Sequence, residues 1–209
     1  MPPLSIPDTK SLGSRAFPPR DLVRRWIKRA AVLCLSTAVT AGGYAGYLHL
    51  SGNFHTIIEG TVYRSGQPSP DRLAAYIKQH GIRSVINLRG ESPGRGWYDE
   101  ELAVAKGNGV KHYSFKMSAR QQLDQDRAQE LIELMAKAEK PVLIHCQGGA
   151  DRTGLAAALY LAAIAKTGEE EAEGQISFRY GHVSLPMTTA YPMDESFEAL
   201  EPWLGFHNS

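Results

Sequence analysis

Cysteine is nearly missing from this chain: Cys34 and Cys146 are the only two, and they lie in segments of very different character. That scarcity argues against a disulfide framework and against a cysteine-ligated zinc site. The seven histidines show no H-E-x-x-H or similar spacing, so the sequence implies no metal and no cofactor. An excess of either charge sign is missing as well. Formal net charge is +1, and nothing in that balance calls for a nucleic-acid partner. No internal repeat is visible. Charge is uneven only at the start, where Lys10, Arg15, Arg20, Arg24, Arg25, Lys28 and Arg29 face just Asp8 and Asp21.

Hydrophobic residues make up 43% of the 209, which suits one globular domain with something added. The addition is N-terminal. Residues 1–29 read as a basic, disordered tail rich in Pro and Ser. From Ala30 to Leu50 the chain carries no Asp, Glu, Lys or Arg. As a helix that run crosses a hydrocarbon core of about 30 Å. Tyr44 and Tyr47 stand where an interfacial belt would lie. Three readings compete: a single-pass anchor, a signal peptide cleaved after Val39-Thr40-Ala41, and a buried helix of a soluble protein. Arg24-Arg25 is also a weak twin-arginine candidate. Basic residues flank the run only on its N-terminal side, and none follows before Arg64. As an anchor in the inner membrane it leaves the N-terminus in the cytoplasm and the remainder outside. Cleavage would release a periplasmic or secreted protein instead.

Residues 55–209 form the expected catalytic domain, after a connector over Ser51–Glu59. Short apolar runs read as strands at Thr61–Arg64, Ser84–Leu88, Lys111–Phe115 and Pro141–His145. Helices are expected from Ser69-Pro70-Asp71 to His80, over Trp97–Lys106, and from an Asp124 or Asp126 cap to Lys137. Further helices are expected over Leu155–Ala165, Glu169–Arg179 and Asp194–Leu204. Strands alternating with helices predict an α/β domain: a central, mostly parallel sheet flanked by helices, preceded by one transmembrane helix.

The chemistry lies in His145-Cys-Gln-Gly-Gly-Ala-Asp-Arg-Thr-Gly154, between a predicted strand and a predicted helix. Such a loop turns successive backbone N–H groups inward and forms an anion cradle. Gln147, Gly148, Gly149, Ala150 and Asp151 would supply it, with glycines where the backbone must approach the anion. Cys146 stands at its base, where inward N–H groups and a helix N-terminus stabilise negative charge on the sulfur. Arg152 closes the loop with a planar fork suited to two phosphoryl oxygens. Thr153 places a hydroxyl near the sulfur. A cysteine in an apolar strand is more often a small core residue, and a lone glycine-rich loop is weak evidence. Their coincidence with Arg152 and Thr153 in a strand–loop–helix context is what carries the inference.

This signature resembles that of the tyrosine and dual-specificity phosphatase superfamily. Val62-Tyr-Arg-Ser-Gly-Gln-Pro68 and Val85-Ile-Asn-Leu-Arg89 look like the atypical, bacterial-type dual-specificity branch. The resemblance implies a phosphocysteine on Cys146, phosphoryl binding by Arg152, and assistance from His145. It also implies an acid in the loop after the third strand. Lys116-Met-Ser-Ala-Arg120 carries none, which leaves Asp124, Asp126 and Asp151 as candidates. Arg89, Arg95 and Arg120 could line the mouth, though solvated surface charge is the commoner role. Arg179-Tyr-Gly-His182 is either a helix end or a pocket wall.

The expected activity is phosphomonoester hydrolysis on a phosphorylated lipid or protein. A membrane-tethered enzyme suits a phospholipid phosphate such as phosphatidylglycerophosphate, the alternative being a phosphoprotein. Uncharged Gln147 and Ala150 weaken a polyphosphate-rich substrate. A pseudophosphatase would be marked by loss of the Cys or Arg, and the Arg-Thr-Gly ending argues against a rhodanese.

Overall fold

The computed structural model describes residues 20–206. Helix α1 runs from Arg20 to Ser51. The basic residues from Arg24 to Arg29, expected in a disordered tail, are therefore helical; the tail's residues 1–19 lie outside the described residues. Val32, Leu33, Leu35 and Val39 are about two-thirds exposed. The stretch Arg24–Ser51 is long and apolar enough to cross a membrane, its most apolar 18 residues having a mean hydropathy of 1.3. Residues to Gly43 form one compact unit, and Tyr44–Ser209 form the second. The last two turns of α1 thus belong to the second unit.

That unit is built on a sheet of five strands in the order β1-β2-β5-β3-β4. These are β1 (His55–Ile58), β2 (Val62–Ser65), β3 (Ser84–Asn87), β4 (Lys111–Ser114) and β5 (Val142–His145). Strands β2, β5, β3 and β4 are parallel, and β1 joins β2 antiparallel at the edge. The sheet is mostly parallel, as the alternating pattern predicts. Strand β1 was read as connector, because four residues ending in a tight turn at Gly60 are too few to show a period.

Alternation along the buried strands divides the core in two. Tyr63, Val85 and Leu143 point to one face, where Leu73 and Ala105 cover them. Val62, Ile86, Val142 and Ile144 point to the other, against Leu131, Leu155 and Phe197. Helices α2 (Pro70–His80) and α3 (Gly96–Gly107) cover the first face; α4 (Gln125–Lys137), α5 (Asp151–Leu159) and α7 (Pro192–Leu204) cover the second. Helix α2 starts as its sequence dictates, with Ser69 accepting from Arg72 N, Pro70 in the first turn and Gly81 left-handed beyond its end.

Two helices differ from expectation. The central one begins at Asp151 rather than Leu155, and past Leu159 it widens into a π-helical turn over Tyr160–Ala165. The helix expected over Glu169–Arg179 breaks into α6 (Glu169–Glu173) and a 3-10 turn at Phe178–Tyr180. Gly174, a weak helix former, stands at the break.

Candidate active site

The cradle leaves the C-terminal end of β5, in the middle of the sheet, and runs into α5. Four of its successive carbonyls are occupied from outside. Gln147 O accepts from Gln67 N (3.1 Å). Gly148 O accepts from Asn53 Nδ2 (2.9 Å). Gly149 O and Ala150 O accept from Arg64 Nη2 (2.9 and 3.3 Å). In a trans peptide the carbonyl and the next N–H point in opposite directions. Carbonyls drawn outward therefore turn the N–H groups of residues 148–151 inward. One of them, Gly149 N, donates to Cys146 Sγ at 3.3 Å.

Arg64 is the residue that sequence reasoning passed over. Its place in the Val62–Pro68 motif marks no task for it, yet it is fully buried behind the loop. Its Nη1 also donates to Gln175 O and Oε1, at 2.8 and 2.9 Å. The guanidinium lies 3.7 Å from the Tyr180 ring centroid. Burial pulls its pKa down to about 10, partly offset by Tyr180 and Cys146, so it stays cationic at neutral pH. Parallel pairing of Arg64 with Ile144 puts it one residue pair from His145, which explains its reach.

Gly149 is required sterically. Its φ is +75°, and a Cβ there would come 2.5 Å from Gly66 N and 2.6 Å from Ser65 C. At Gly148 a Cβ would meet no protein atom within 4 Å. The two glycines, read alike from sequence, thus differ in need.

Cys146 is buried at the base of the loop. Arg152 spans from α5 toward the ends of β3 and β4, with Nη1 3.5 Å from both Leu88 O and Met117 O. Arg152 Nε and Thr153 Oγ1 are buried without a protein partner. Arg64 Nε and Thr167 Oγ1 are left in the same way, but of the four only Arg152 Nε and Thr153 Oγ1 stand in the first turn of α5, directly after the loop.

Beneath the loop, His145 Nε2 lies 3.2 Å from the carboxylate of Glu101. Glu101, on α3, also accepts from His112 Nε2 (2.7 Å) and from Gln67 Nε2. Burial pushes this carboxyl up, but the His112 and His145 hydrogen bonds and their charges outweigh it and hold it at about 2. A glutamate on an otherwise ordinary helix gives no sequence signal of this. Gln67 in turn accepts from Arg89 Nη1 (2.9 Å), and the Arg89 guanidinium stacks 3.4 Å from the Trp97 ring centroid.

Arg89, Lys116, Arg120, Arg127 and Arg152 line a cavity of about 680 Å³ together with one acid, Asp124. Arg89 and Arg120 thus line the same cavity as Arg152. Arg95 is exposed at the start of α3 and does not line this cavity. Gln147 and Gly148 line a second cavity of about 400 Å³ on the other side of the loop.

The three candidate acids separate. Asp124 accepts from Arg127 N at 2.9 Å and caps α4. Asp126 is exposed in the first turn of that helix. Asp151 lies in the cradle with 35% of its side chain exposed, and its Oδ1 is 2.8 Å from His182 Nδ1. His182 is fully buried, with Asp194 Oδ2 2.8 Å from its Nε2. Burial pulls this imidazole's pKa down, but Asp151 and Asp194 more than compensate and carry it above the ordinary value. Of the Arg179–His182 stretch, then, Tyr180 and His182 both back the cradle. Among the described residues no group of three His, Cys, Asp or Glu is placed to hold a metal ion.

The chain matches the model of the tyrosine phosphatase family over residues 42–170. It is 28% identical over 104 residues to inositol diphosphatase DSP3 of Arabidopsis thaliana, covering 47% of this chain and 49% of that protein. It therefore spans about half the length of the curated relatives it matches. Among solved structures it is similar to P. aeruginosa TpbA (TM-score 0.56, 21% identity, 74% of this chain and 92% of that one). It is also similar to PTPMT1 in complex with PI(5)P (TM-score 0.50, 17% identity, 72% and 97%). At these identities the two structures speak for the fold.

Proposed function

The chain belongs to the tyrosine phosphatase family, and from that premise we propose that it is a cysteine-dependent phosphomonoester hydrolase acting on phosphorylated lipid headgroups at a membrane. The observation that carries the reaction is the cradle with Cys146 at its base and the unpartnered Nε of Arg152 at its rim. The Cys146 thiolate attacks phosphorus, the P–O bond to the leaving group breaks, and that oxygen takes up a proton. Water then attacks the phosphocysteine, giving inorganic phosphate and restoring the thiolate. Inward N–H groups and the Arg152 fork hold the equatorial oxygens as charge redistributes. Thr153 Oγ1 is a donor for the departing sulfur. Glu101 orients His145 under the loop.

Asp151 is the carboxyl we assign to leaving-group protonation. Asp124 is committed to its cap and Asp126 is turned to solvent, whereas Asp151 adjoins Arg152. Asp194 fixes His182, and His182 can return a proton to Asp151 after each turnover.

Two features support a lipid substrate: the apolar run of α1, and a cationic cavity wide enough for a headgroup next to the phosphoryl site. A phospholipid phosphate such as phosphatidylglycerophosphate fits both. The basic excess on the N-terminal flank of α1 favours an inner-membrane anchor with the catalytic unit outside the cytoplasm. A second reading, a soluble inositol polyphosphate, is favoured by the same cavity and by the name of the DSP3 relative. The charge missing from Gln147 and Ala150 is here supplied by Lys116, Arg120 and Arg127. PTPMT1 bound to PI(5)P and TpbA bound to pTyr keep inositol lipids and phosphoproteins in the comparison.

Full-length protein assayed against vesicle-embedded lipid phosphates, inositol phosphates and phosphopeptides separates these. Highest kcat/KM is expected on the lipids. Preference for soluble inositol phosphates or peptides would replace the lipid assignment. Cys146→Ser is expected to lower turnover of every substrate by at least about a thousandfold, roughly 4 kcal/mol of barrier. Residual activity within about tenfold of wild type would refute the nucleophile.

A further inference from the structure

The final two turns of α1 are packed into the catalytic unit side-on. Tyr44 OH donates to Arg179 O at 2.6 Å, and the Tyr44 ring stacks on Phe178 with centroids 5.5 Å apart. Leu48 is buried, and a Cβ on Gly181 would lie 3.2 Å from its Cδ1. Residues 178–181 are thus fixed level with Tyr44 and Leu48 and not beyond the helix end. Tyr44 precedes Ser51 by seven residues, which at 1.5 Å per residue is about 10 Å along the axis.

The segment that follows displays apolar side chains. Phe178 is 57% exposed, Leu185 50% and Met187 88%, with Val183 also in the open. It is nonetheless ordered by its own bonds: Leu185 N donates to Val183 O at 2.9 Å, and Thr188 Oγ1 reaches Val183 O and Leu185 O. Its start is pinned by His182, held between Asp151 and Asp194. A defined turn presenting Val, Leu and Met outward needs a partner of low polarity.

We propose that residues 178–187 insert into the interface of the bilayer that α1 crosses, seating the catalytic unit with its cradle at headgroup level. This rests on the reading of residues 30–50 as a membrane span. If that run occupies the hydrocarbon core, Tyr44 and therefore Phe178 lie at or below the headgroups. Tyr47, Tyr44 and Phe178 form one row of stacked rings, the residue type enriched at that depth. Arg179, exposed beside them, supplies a cation for anionic headgroups. Because His182 both starts this turn and contacts Asp151 of the cradle, insertion holds the catalytic loop against the surface carrying its substrate.

The test uses the full chain carrying Cys146→Ser, reconstituted in phosphatidylcholine–phosphatidylglycerol vesicles. An environment-sensitive fluorophore is attached at native Cys34, or, with Cys34→Ser, at Met187→Cys or at Gln129→Cys on the exposed side of α4. Quenching by spin-labelled lipid is expected at positions 34 and 187 and not at 129. Quenching at 34 with position 187 behaving like 129 would overturn the insertion and leave the anchor standing. No quenching at 34 would remove the anchor and the insertion together. Protection at 187 that depends on protein concentration and not on the lipid quencher would assign the surface to a second copy and also overturn the proposal. In the otherwise wild-type chain, Leu185→Ser with Met187→Ser is expected to lower turnover of vesicle-embedded substrate about tenfold and to spare a soluble ester. Equal losses on both would count against insertion.

Discussion

Arg64 shows how much the shape of the Cys146 loop depends on a side chain buried behind it. Its fork draws two loop carbonyls outward, and the N–H groups beyond them turn inward as a result. Arg64→Met keeps much of the volume and removes the donors; Ala150 O keeps Gly154 N, but Gly149 O and Gln175 O lose their partner at about 1–3 kcal/mol each. We expect a lower melting temperature and, in the folded fraction, weaker vanadate binding. Undiminished vanadate affinity would mean that the loop holds its shape without Arg64. Asp151 is tested by leaving group. Asp151→Asn should slow hydrolysis of alkyl phosphates, whose oxygen needs a proton to depart, by about 10²–10⁴-fold. Aryl phosphates with acidic phenols should suffer far less. Equal losses on the two classes would leave Asp151 with only its contact to His182.

Glu101 acts between elements. From α3 it binds His112 on β4, His145 on β5 and Gln67 beyond β2, so one carboxylate ties three strands to a helix. Its folded pKa of about 2 lies below the ordinary 4.5. The stabilisation it contributes is therefore complete above about pH 4.5 and is lost as pH falls toward 2. That window corresponds to on the order of 3 kcal/mol. Urea denaturation at a series of pH values should show wild type weakening across it, and Glu101→Gln should start less stable and show a flatter acid limb. An identical acid limb in the variant would place the pH dependence elsewhere. The break after α6 matters at this scale too. It lets Gln175 reach Arg64, and the 3-10 turn brings Tyr180 over the same guanidinium.

At the scale of the molecule, the boundary of the catalytic unit falls at Gly43, inside α1, and not at the end of the apolar run. Removing residues 1–43 should leave a protein that folds and hydrolyses a soluble ester at near wild-type rate. Removing residues 1–51 also deletes Tyr44 and buried Leu48, and should cost about 2–5 kcal/mol from the lost apolar side chain alone. Thermal melts of the two truncations check this, and equal stability would show that the last turns of α1 contribute nothing to the unit. On vesicle-embedded substrate both truncations should lose activity far more than on the soluble ester.

The sequence alone determined the loop motif running from Cys146 to Arg152, the parallel α/β architecture and the apolar N-terminal run. Each is written locally: a loop motif between strand and helix, apolar runs of fixed period, a Ser-Pro-Asp cap. Only the tertiary structure decided that Arg64 shapes the cradle, that Glu101 supports His145, that Gly149 rather than Gly148 is sterically indispensable, and that Asp151 is paired with His182. Those contacts join residues 31 to 86 positions apart. An arginine in a strand or a glutamate on a helix carries no local mark of what it will meet. Chain folding sets such partners through strand order, which placed β2 and β3 on either side of β5 and brought their carboxyl ends to one loop.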